Sequence, residues 1–329
     1  MKVVFIVPYY GEFPSYFNLF LETCKNNKDF DWLVITDIKK TYDYPENVYL
    51  LDLSWEALKE LFKQSFDFKI SIDSPYKLCD FKPAYGYIFR NYIEGYDYWG
   101  YCDVDVLFGD LRKFLPDNKL EKYDKIGHLG HMSIYRNCDE INYMFAKDIN
   151  EIYRYKEVFT SNLNYMFDEW NMISINHIFL HNDKKILMFN DFFDIYPYDN
   201  NFKRVFRIIP TQNMSFGKEI IDKKISFASI EKGKAYQWTY TDRKWNKTEV
   251  AYIHFQKRKM DNMLSDINGD ILCVPDRFIQ MNSQKISKKF FLISLLNTIY
   301  NKKKYKWYLR KIMFWFASTT SPFRHPFRK

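Results

Sequence analysis

The chain has 329 residues, of which 47% are hydrophobic and 27% charged; this composition is typical of a globular protein with a sizeable core and excludes a disordered chain. Its five cysteines are scattered without CxxC or CxxH spacing, so we expect free thiols in a reducing compartment, with neither a zinc site nor a disulfide framework. The net charge of +8 is concentrated at the C-terminal end.

The first third of the chain predicts alternating strands and helices. The N-terminus MKVVFIVPYYG has too short an apolar run before Pro8 to be a signal peptide, so we expect a cytosolic protein. The apolar runs VVFIVPYY, DWLVITD, NVYLLDL and YDYWGYCDVDV indicate strands. FPSYFNLFLETCKNN, WEALKELFKQSF and KPAYGYIFRNYI, the last opened by Pro83, indicate helices. This order predicts an α/β fold with a mostly parallel sheet flanked by helices.

Several polar residues follow the ends of these predicted strands. Ligands of open parallel sheets bind beyond the carboxyl ends of the strands, where the chain places Pro8, Tyr9, Asp37, Asp103 and Asp105. Because side chains alternate along a strand, we expect the carboxylates of Asp103 and Asp105 to face the same way. Two carboxylates on one face suit Mg²⁺ or Mn²⁺. The alternative is a solvated strand end in which Asp105 or Asp110 caps the following turn.

The order of motifs carries a resemblance to a known class of enzymes. KLCDFKPAYG, WGYCDVDVLFGDL, GHMSIYRN, FDEW and YIHFQKRKM, spread over residues 3 to 260, resemble GT-A-fold bacterial glycosyltransferases that build capsular polysaccharide and lipopolysaccharide. The resemblance implies a GT-A-like, Rossmann-related domain over residues 1–275. It also implies that a D-x-D motif, here Asp103 and Asp105, holds Mn²⁺ or Mg²⁺ on the diphosphate of a nucleotide-sugar.

The resemblance also assigns roles to a C-terminal segment. It implies that His254 completes the metal site, and neutral imidazole suits Mn²⁺. Lys257 and Arg258 would then neutralise the leaving diphosphate. His254 could equally be a structural histidine. His131 lies in a motif that resembles the segment lining the donor sugar or acceptor.

Further donor contacts are expected near the predicted helix at Pro83. Lys77 and Lys82 would hold a phosphate at its N-terminus, and Asp80 would assist them or simply cap the helix. Asp37 would contact the nucleobase or ribose, or be an ordinary turn residue.

The motif FDEW supplies candidate catalytic carboxylates. The resemblance implies that Asp168 or Glu169 is the general base that takes the proton of the attacking acceptor hydroxyl. Neighbouring carboxylates raise each other's pKa, which favours this role. The alternative is a solvated helix start with acidic residues near the positive end of the helix dipole.

The C-terminal region, residues 276–329, is basic and amphipathic. After Asp276 the chain has thirteen Lys and Arg residues and no acidic residue, so residues 1–276 hold 36 basic and 41 acidic residues, a net charge of −5. The apolar run FFLISLL is shorter than the roughly 20 residues that span a bilayer. We therefore expect this region to bind an anionic membrane surface, although part of it could pack on the sheet domain. Nucleic-acid binding is disfavoured by the acidic remainder of the chain.

These inferences converge on a metal-dependent hexosyltransferase. It would move a hexose from a nucleotide-sugar, with a UDP-sugar as the expected donor, to a hydroxyl of a lipid-linked oligosaccharide at the inner face of the cell membrane. The alternatives are a non-catalytic module that binds glycan or membrane, and a metal-dependent nucleotidyl- or phosphotransferase.

Overall fold

A computed structural model describes residues 1–169, 173–208, 218–262, 264 and 266–281. The predicted membrane-binding region therefore lies almost wholly outside the described residues. Within them, no helix is long and apolar enough to cross a membrane.

The described part of the chain alternates strands with mostly short helices. Its strands are β1 (Val3–Pro8), β2 (Phe30–Thr36), β3 (Val48–Asp52), β4 (Tyr98–Cys102), β5 (Val106–Phe108), β6 (Lys125–Leu129), β7 (Met132–Arg136), β8 (Ile186–Leu187), β9 (Phe193–Asp194), β10 (Val205–Ile208), β11 (Lys218–Ile221), β12 (Ser226–Glu231), β13 (Lys234–Thr241), β14 (Lys244–Val250), β15 (Tyr252–His254), β16 (Asp261–Asn262), β17 (Ile271–Val274) and β18 (Arg277–Gln280). Its α-helices are α1 (Phe17–Lys25), α2 (Trp55–Gln64), α3 (Leu78–Phe81), α4 (Tyr85–Ile88), α5 (Leu111–Phe114), α6 (Asp117–Leu120), α7 (Asp139–Asn142), α8 (Arg154–Thr160) and α9 (Ile175–His181).

A seven-stranded, mostly parallel sheet organises the fold, as the sequence predicts. Its order is β3-β2-β1-β4-β7-β6-β8, and β1 to β4 all run parallel. Only β7 runs against its neighbours β4 and β6. The carboxyl ends of β1, β2 and β4 therefore meet at one edge.

Both faces of this sheet are covered, which explains the continuous apolar run of β1. Phe5 packs into one hydrophobic cluster with α1, whereas Ile6 points to the opposite face and packs with α2. Each side chain is fully buried. Because neither face of the strand meets water, the usual alternation of apolar and polar residues is absent.

A second, six-stranded sheet has the order β14-β13-β12-β17-β18-β16. One face, with Ala228 and Ile230, packs on the same core as Phe5. β18 pairs antiparallel with β17, so this sheet continues past the predicted domain boundary at residue 275 and reaches Gln280. A three-stranded sheet, β5-β15-β9, links the two larger sheets.

Two local predictions are wrong. KPAYGYIFRNYI forms no single helix: a 3-10 turn at Lys82–Ala84 precedes the four-residue α4, and Pro83 has no N–H to extend a hydrogen-bond ladder. The D-x-D motif does not lie in an extended strand either. β4 ends at Cys102, and Val104 and Asp105 form a turn before β5.

Candidate metal centre and active site

The turn after β4 and the strand β15 build the centre of the site. Pairing of β5 with β15 sets His254 opposite Val106, one residue after Asp105. The Phe255 N–H donates to the carbonyl of Asp105, and the Asp103 N–H donates to the carbonyl of His131. Backbone pairing, rather than strand alternation, therefore brings the two carboxylates and the imidazole together.

The side chains of Asp103, Asp105 and His254 converge. Their potential ligand atoms all lie within 4.8 Å of one another. His254 Nε2 lies 3.4 Å from Asp105 Oδ1 and 3.9 Å from Asp103 Oδ2. Asp105 Oδ1 is buried and has no hydrogen-bond partner among the described residues. Without a metal, the cation nearest to this buried oxygen is the His254 ring, which pairs with it at 3.4 Å; a metal bound to both groups would replace that pair.

Asp194 fixes the orientation of the His254 ring by binding its Nδ1 atom. It lies on β9, in register with His254 on β15, and its Oδ1 is 2.8 Å from His254 Nδ1. A histidine that donates Nδ1–H to a carboxylate presents its Nε2 lone pair in a fixed direction, as metal-binding histidines do. Burial alone would lower the pKa of His254, but the carboxylates of Asp105 and Asp194 outweigh it and raise the pKa to about 10, so without a metal Nε2 carries a proton, which a bound metal would replace.

These residues fit a divalent metal. Two carboxylates and one imidazole are suitable ligands for Mn²⁺ or Mg²⁺, with positions left for phosphate and water. Asp105 Oδ1, which makes no hydrogen bond among the described residues, faces the tethered imidazole at 3.4 Å, so the protein supplies a partly formed coordination shell. Asp103, a third exposed at its side chain, forms the open side of this shell.

The other oxygen of Asp105 accepts the backbone N–H of Lys257. Lys257 lies in a turn closed by a 3.0 Å hydrogen bond from the Arg258 N–H to the Phe255 carbonyl. Gln256 and Lys257 have φ values of 49° and 59°, a left-handed conformation that costs energy for residues other than glycine. The side chain of Lys257 lies over the ring of Tyr76 at 3.9 Å. The turn thus holds Asp105 through its backbone and leaves the lysine exposed.

Lys82 bridges the metal site to the FDEW motif. Its Nζ is 2.7 Å from Asp103 Oδ1 and from the Gly130 carbonyl, and 3.7 Å from Asp168 Oδ2. Burial alone would lower the pKa of Lys82, but Asp103 and Asp168 hold it well above its usual range. Lys82 therefore stays charged and sets the spacing of two carboxylates.

Asp168 is buried, not at a solvated helix start. Burial, together with Glu169 and other carboxylates nearby, raises the pKa of Asp168 well above its usual range despite the opposing effect of Lys82. Glu169 is partly exposed, and its Oε2 accepts the Gly130 N–H at 3.3 Å. A Cβ at Gly130 would lie 2.3 Å from Asp168 Oδ2, so a glycine there leaves room for the carboxylate.

Lys77 and Asp80 are structural, which corrects their predicted role in binding phosphate. Lys77 is buried, and its Nζ donates to Asp80 and to the carbonyls of Val158 and Leu163. Asp80, also buried, accepts the N–H groups of Tyr165 and Phe167. All donors of Lys77 are occupied, so none remains for a phosphate. The pair instead holds the segment that leads to Asp168.

Arg258 is also structural. Its guanidinium is buried and donates to Asp276 Oδ1 and to the carbonyls of Asp199 and Asn200. The structure does not support the predicted contact between Arg258 and a diphosphate, because the guanidinium is buried and already donates to these three partners.

Pro8, Tyr9 and Asp37, which end or follow β1 and β2, lie at the carboxyl edge of the large sheet. Pro8 ends β1, and the hydroxyl of Tyr9 donates to the carbonyl of Glu12 at 2.9 Å. Burial, and after it the carboxylates of Asp105 and Asp103, raises the pKa of Tyr9. Asp37 accepts the backbone N–H of Trp55 at the start of α2. Asp110 accepts the Lys113 N–H and caps α5.

Sequence reasoning missed Asp194 and its partner Arg207, and it gave His131 no place beside His254. Asp194 is fully buried and binds His254, Gln256 and Arg207. His131 lies against the His254 ring, with ring centroids 4.3 Å apart. With His254, His131 and Asp194 form a second set of potential ligand atoms, but the guanidinium of Arg207 already neutralises Asp194.

The model of a family described as a family of unknown function (DUF6625) matches residues 5–282. The chain belongs to this family. No curated protein matches it. Among solved structures, this DUF6625 member is similar to the galactosyltransferase LgtC in complex with donor and acceptor sugar analogs, at 14% identity and a TM-score of 0.32, over 60% of this chain and 76% of that chain. It is also similar to an active-site mutant of LgtC, at 13% identity and a TM-score of 0.33, over 60% and 75% of the two chains. The function proposed below therefore rests on the geometry of this chain's own residues.

Proposed function

We propose that this protein is a metal-dependent glycosyltransferase. It moves a hexose from a nucleotide-sugar, with a UDP-sugar as the favoured donor, to a hydroxyl of a lipid-linked oligosaccharide in surface polysaccharide synthesis. The basic C-terminal region would hold the enzyme on the anionic inner face of the cell membrane.

One observation carries this proposal. Asp103, Asp105 and His254 converge at the carboxyl edge of a parallel sheet, and the buried Asp105 Oδ1 lacks a hydrogen-bond partner among the described residues. Parallel α/β sheets bind their ligands at this edge. A divalent cation there can be shared with the phosphates of a ligand.

The residues of the site would have different roles around the reacting bond. Asp103, Asp105 and His254 would hold Mn²⁺ or Mg²⁺, which when bound offsets the negative charge of a leaving diphosphate. The ammonium group of Lys82 lies between the carboxylates of Asp103 and Asp168 and donates to Asp103. The exposed Lys257 and the partly exposed Tyr9 flank the metal residues and are candidate donor contacts.

Asp168 is the favoured proton acceptor. Its carboxylate lies across Lys82 from the metal residues, and burial raises its pKa, which increases its basicity toward an acceptor hydroxyl. Glu169 adjoins it and is the second candidate.

A panel of UDP-, GDP- and CMP-sugars tests the proposal. We expect the full-length protein to hydrolyse one of them slowly without acceptor, in the presence of Mn²⁺ but not of excess EDTA. Asp103→Asn and Asp105→Asn should each lower this rate roughly 100-fold or more, a loss similar to that from removing one group that stabilises a transition state. Asp110→Asn is the matched control, because Asp110 caps α5 and lies outside the metal cluster.

Three results would contradict the proposal. Hydrolysis that persists in EDTA, or in both Asp→Asn variants, would exclude a metal role for the cluster. Binding of a nucleotide-sugar without any turnover would favour a non-catalytic module. Consumption of nucleoside triphosphates with release of pyrophosphate would identify a nucleotidyltransferase.

A further inference from the structure

The antiparallel hairpin strands β10 and β11 carry two different faces. Arg207 pairs with Glu219, whereas Phe206 pairs with Ile220 and Ile208 with Lys218. Because side chains alternate along each strand, Arg207 and Glu219 share one face, and the other two pairs share the opposite face.

The first face attaches the hairpin to the candidate active site. Arg207 donates to Asp194, the carboxylate that holds His254, and its other nitrogen lies 3.1 Å from Gln256 Oε1 and 3.3 Å from Glu219 Oε2. The Arg207 carbonyl is 3.2 Å from His128 Nε2. The hairpin therefore lies directly beside the metal residues.

The opposite face, which we call the outer hairpin face, consists of Phe206, Ile208, Lys218 and Ile220. Ile208 is 52% exposed and Ile220 41% exposed. Neither isoleucine belongs to a hydrophobic cluster of the described residues. Two exposed isoleucines on adjacent strands beside the candidate active site indicate a surface that contacts a partner or a membrane when the protein is active.

Lysines border this apolar surface. Lys218 lies opposite Ile208, and the exposed Lys223 and Lys224 follow β11 directly. The same segment contains two acidic residues: Glu219, which binds Arg207 on the first face, and Asp222. Exposed apolar side chains accompanied by lysines match an anionic lipid surface, where the apolar groups enter the interface and the lysines are attracted to the lipid headgroups.

We propose that the outer hairpin face docks on an anionic bilayer and so positions the metal centre at the membrane surface. The docking surface is distinct from the basic C-terminal region and is continuous with the site through Arg207. That the docked site then meets a lipid-linked acceptor rests on the proposed glycosyltransferase function; the docking itself does not.

Partition of the full-length protein into vesicles tests the proposal. Vesicles of phosphatidylcholine with one quarter phosphatidylglycerol are compared with phosphatidylcholine alone. The double variant Ile208→Ser/Ile220→Ser should lower the partition coefficient on anionic vesicles about fivefold or more, because two apolar side chains no longer enter the interface. Leu50→Ser is the matched control, since Leu50 on β3 is 47% exposed at the far edge of the large sheet.

A charge variant gives an independent readout. Lys218→Glu should weaken binding to anionic vesicles and leave binding to neutral vesicles unchanged, whereas Lys63→Glu on α2 should change neither. Circular dichroism checks that each variant is folded. The C-terminal region is present in every protein, so its contribution cancels in the comparison.

Two outcomes would overturn the proposal. One is partition of the double variant and of Lys218→Glu at the wild-type level. The other is a wild-type dimer that the double variant dissociates without any change in vesicle binding, which would assign the face to a contact between copies of the chain. Nucleotide-sugar hydrolysis is measured in parallel and should be unchanged in all variants; if the wild type hydrolyses no donor, the proposed function fails while the vesicle result stands.

Discussion

At the scale of single residues, we expect Asp194 to support the proposed metal site by orienting His254. It contacts none of the proposed substrates but binds His254 Nδ1 at 2.8 Å. Asp194→Asn should weaken the affinity for Mn²⁺ by about 10- to 100-fold, the usual cost of losing a partner that orients a metal ligand. Calorimetric titration with Mn²⁺ measures this. In a His254→Ala background the same change should have little further effect; an equal loss there would show that Asp194 acts elsewhere.

The two carboxylates of FDEW can be separated by their amide variants. If Asp168 takes the acceptor's proton, Asp168→Asn should lower kcat for transfer roughly 100-fold or more and leave donor affinity unchanged. Glu169→Gln should have a smaller effect, because Glu169 is only partly buried and binds the Gly130 N–H. Loss of donor affinity in step with the rate would instead place Asp168 in the donor site.

A buried lysine away from the metal residues should make stability depend on pH. Burial lowers the pKa of Lys125 to about 7, whereas its ordinary value is 10.5. Between these values the unfolded chain binds a proton that the folded chain does not, so the free energy of unfolding rises as pH increases from 7 to 10.5. The difference in the free energy of unfolding between Lys125→Met and wild type should therefore shift in favour of wild type as the pH rises from 7 toward 10.

Urea unfolding at several pH values measures this difference. The exposed Lys185→Met is the control and should show the wild-type pH dependence. A constant difference between Lys125→Met and wild type across this range would mean that Lys125 remains charged in the folded protein.

At the scale of elements, the turn after β15 holds Asp105 by its backbone. The left-handed conformation of Lys257 suits glycine, so Lys257→Gly should keep the N–H contact to Asp105 and retain Mn²⁺ affinity. If the exposed ammonium group contacts the diphosphate, KM for the donor should rise severalfold in the same variant. Steady-state kinetics with a metal titration separates the two effects; loss of metal affinity would show that the side chain, and not the backbone, supports the site.

The sequence predicts elements where local pattern and packing agree. β1, β2 and α2 follow from apolar runs and helical periodicity, and their parallel arrangement follows from their order. The sequence could not show that Lys77 and Arg258 are buried, because their partners are main-chain carbonyls far along the chain. Asp194, in a two-residue strand, also gave no signal, because the side chain of its partner His254 lies 60 residues further along the chain.

The site itself was predicted for a partly incorrect reason. Asp103 and Asp105 do converge with His254, but through a turn and the pairing of β5 with β15, not through the alternation of an extended strand. The local sequence of β5 does not show that it pairs with a strand as distant in the chain as β15. Motif order therefore pointed to three residues that converge, whereas the geometry of their convergence required the structure.

At the scale of the whole molecule, the net charge of the C-terminal end is opposite in sign to that of the rest of the chain. Residues 1–276 carry a net charge of −5, and thirteen basic residues follow. A chain ending at Met281 keeps the complete β18 and should retain nucleotide-sugar hydrolysis while losing much of its binding to anionic vesicles. Charge reversal at Lys302, Lys303 and Lys304 should weaken binding in the same direction. Vesicle sedimentation at low and high salt measures both; undiminished binding of the shortened chain would leave the hairpin as the main membrane contact.

The central claim is that Asp103, Asp105 and His254 hold a divalent metal shared with a nucleotide-sugar. Anomalous diffraction from crystals grown with Mn²⁺ and UDP-sugar tests it most directly. We expect one Mn²⁺ peak within bonding distance of both carboxylates and of His254 Nε2, in contact with the diphosphate, and no such peak in Asp105→Asn crystals. A peak elsewhere, or a bound nucleotide with Lys82 and His254 still paired to the two carboxylates and no metal between them, would contradict the account.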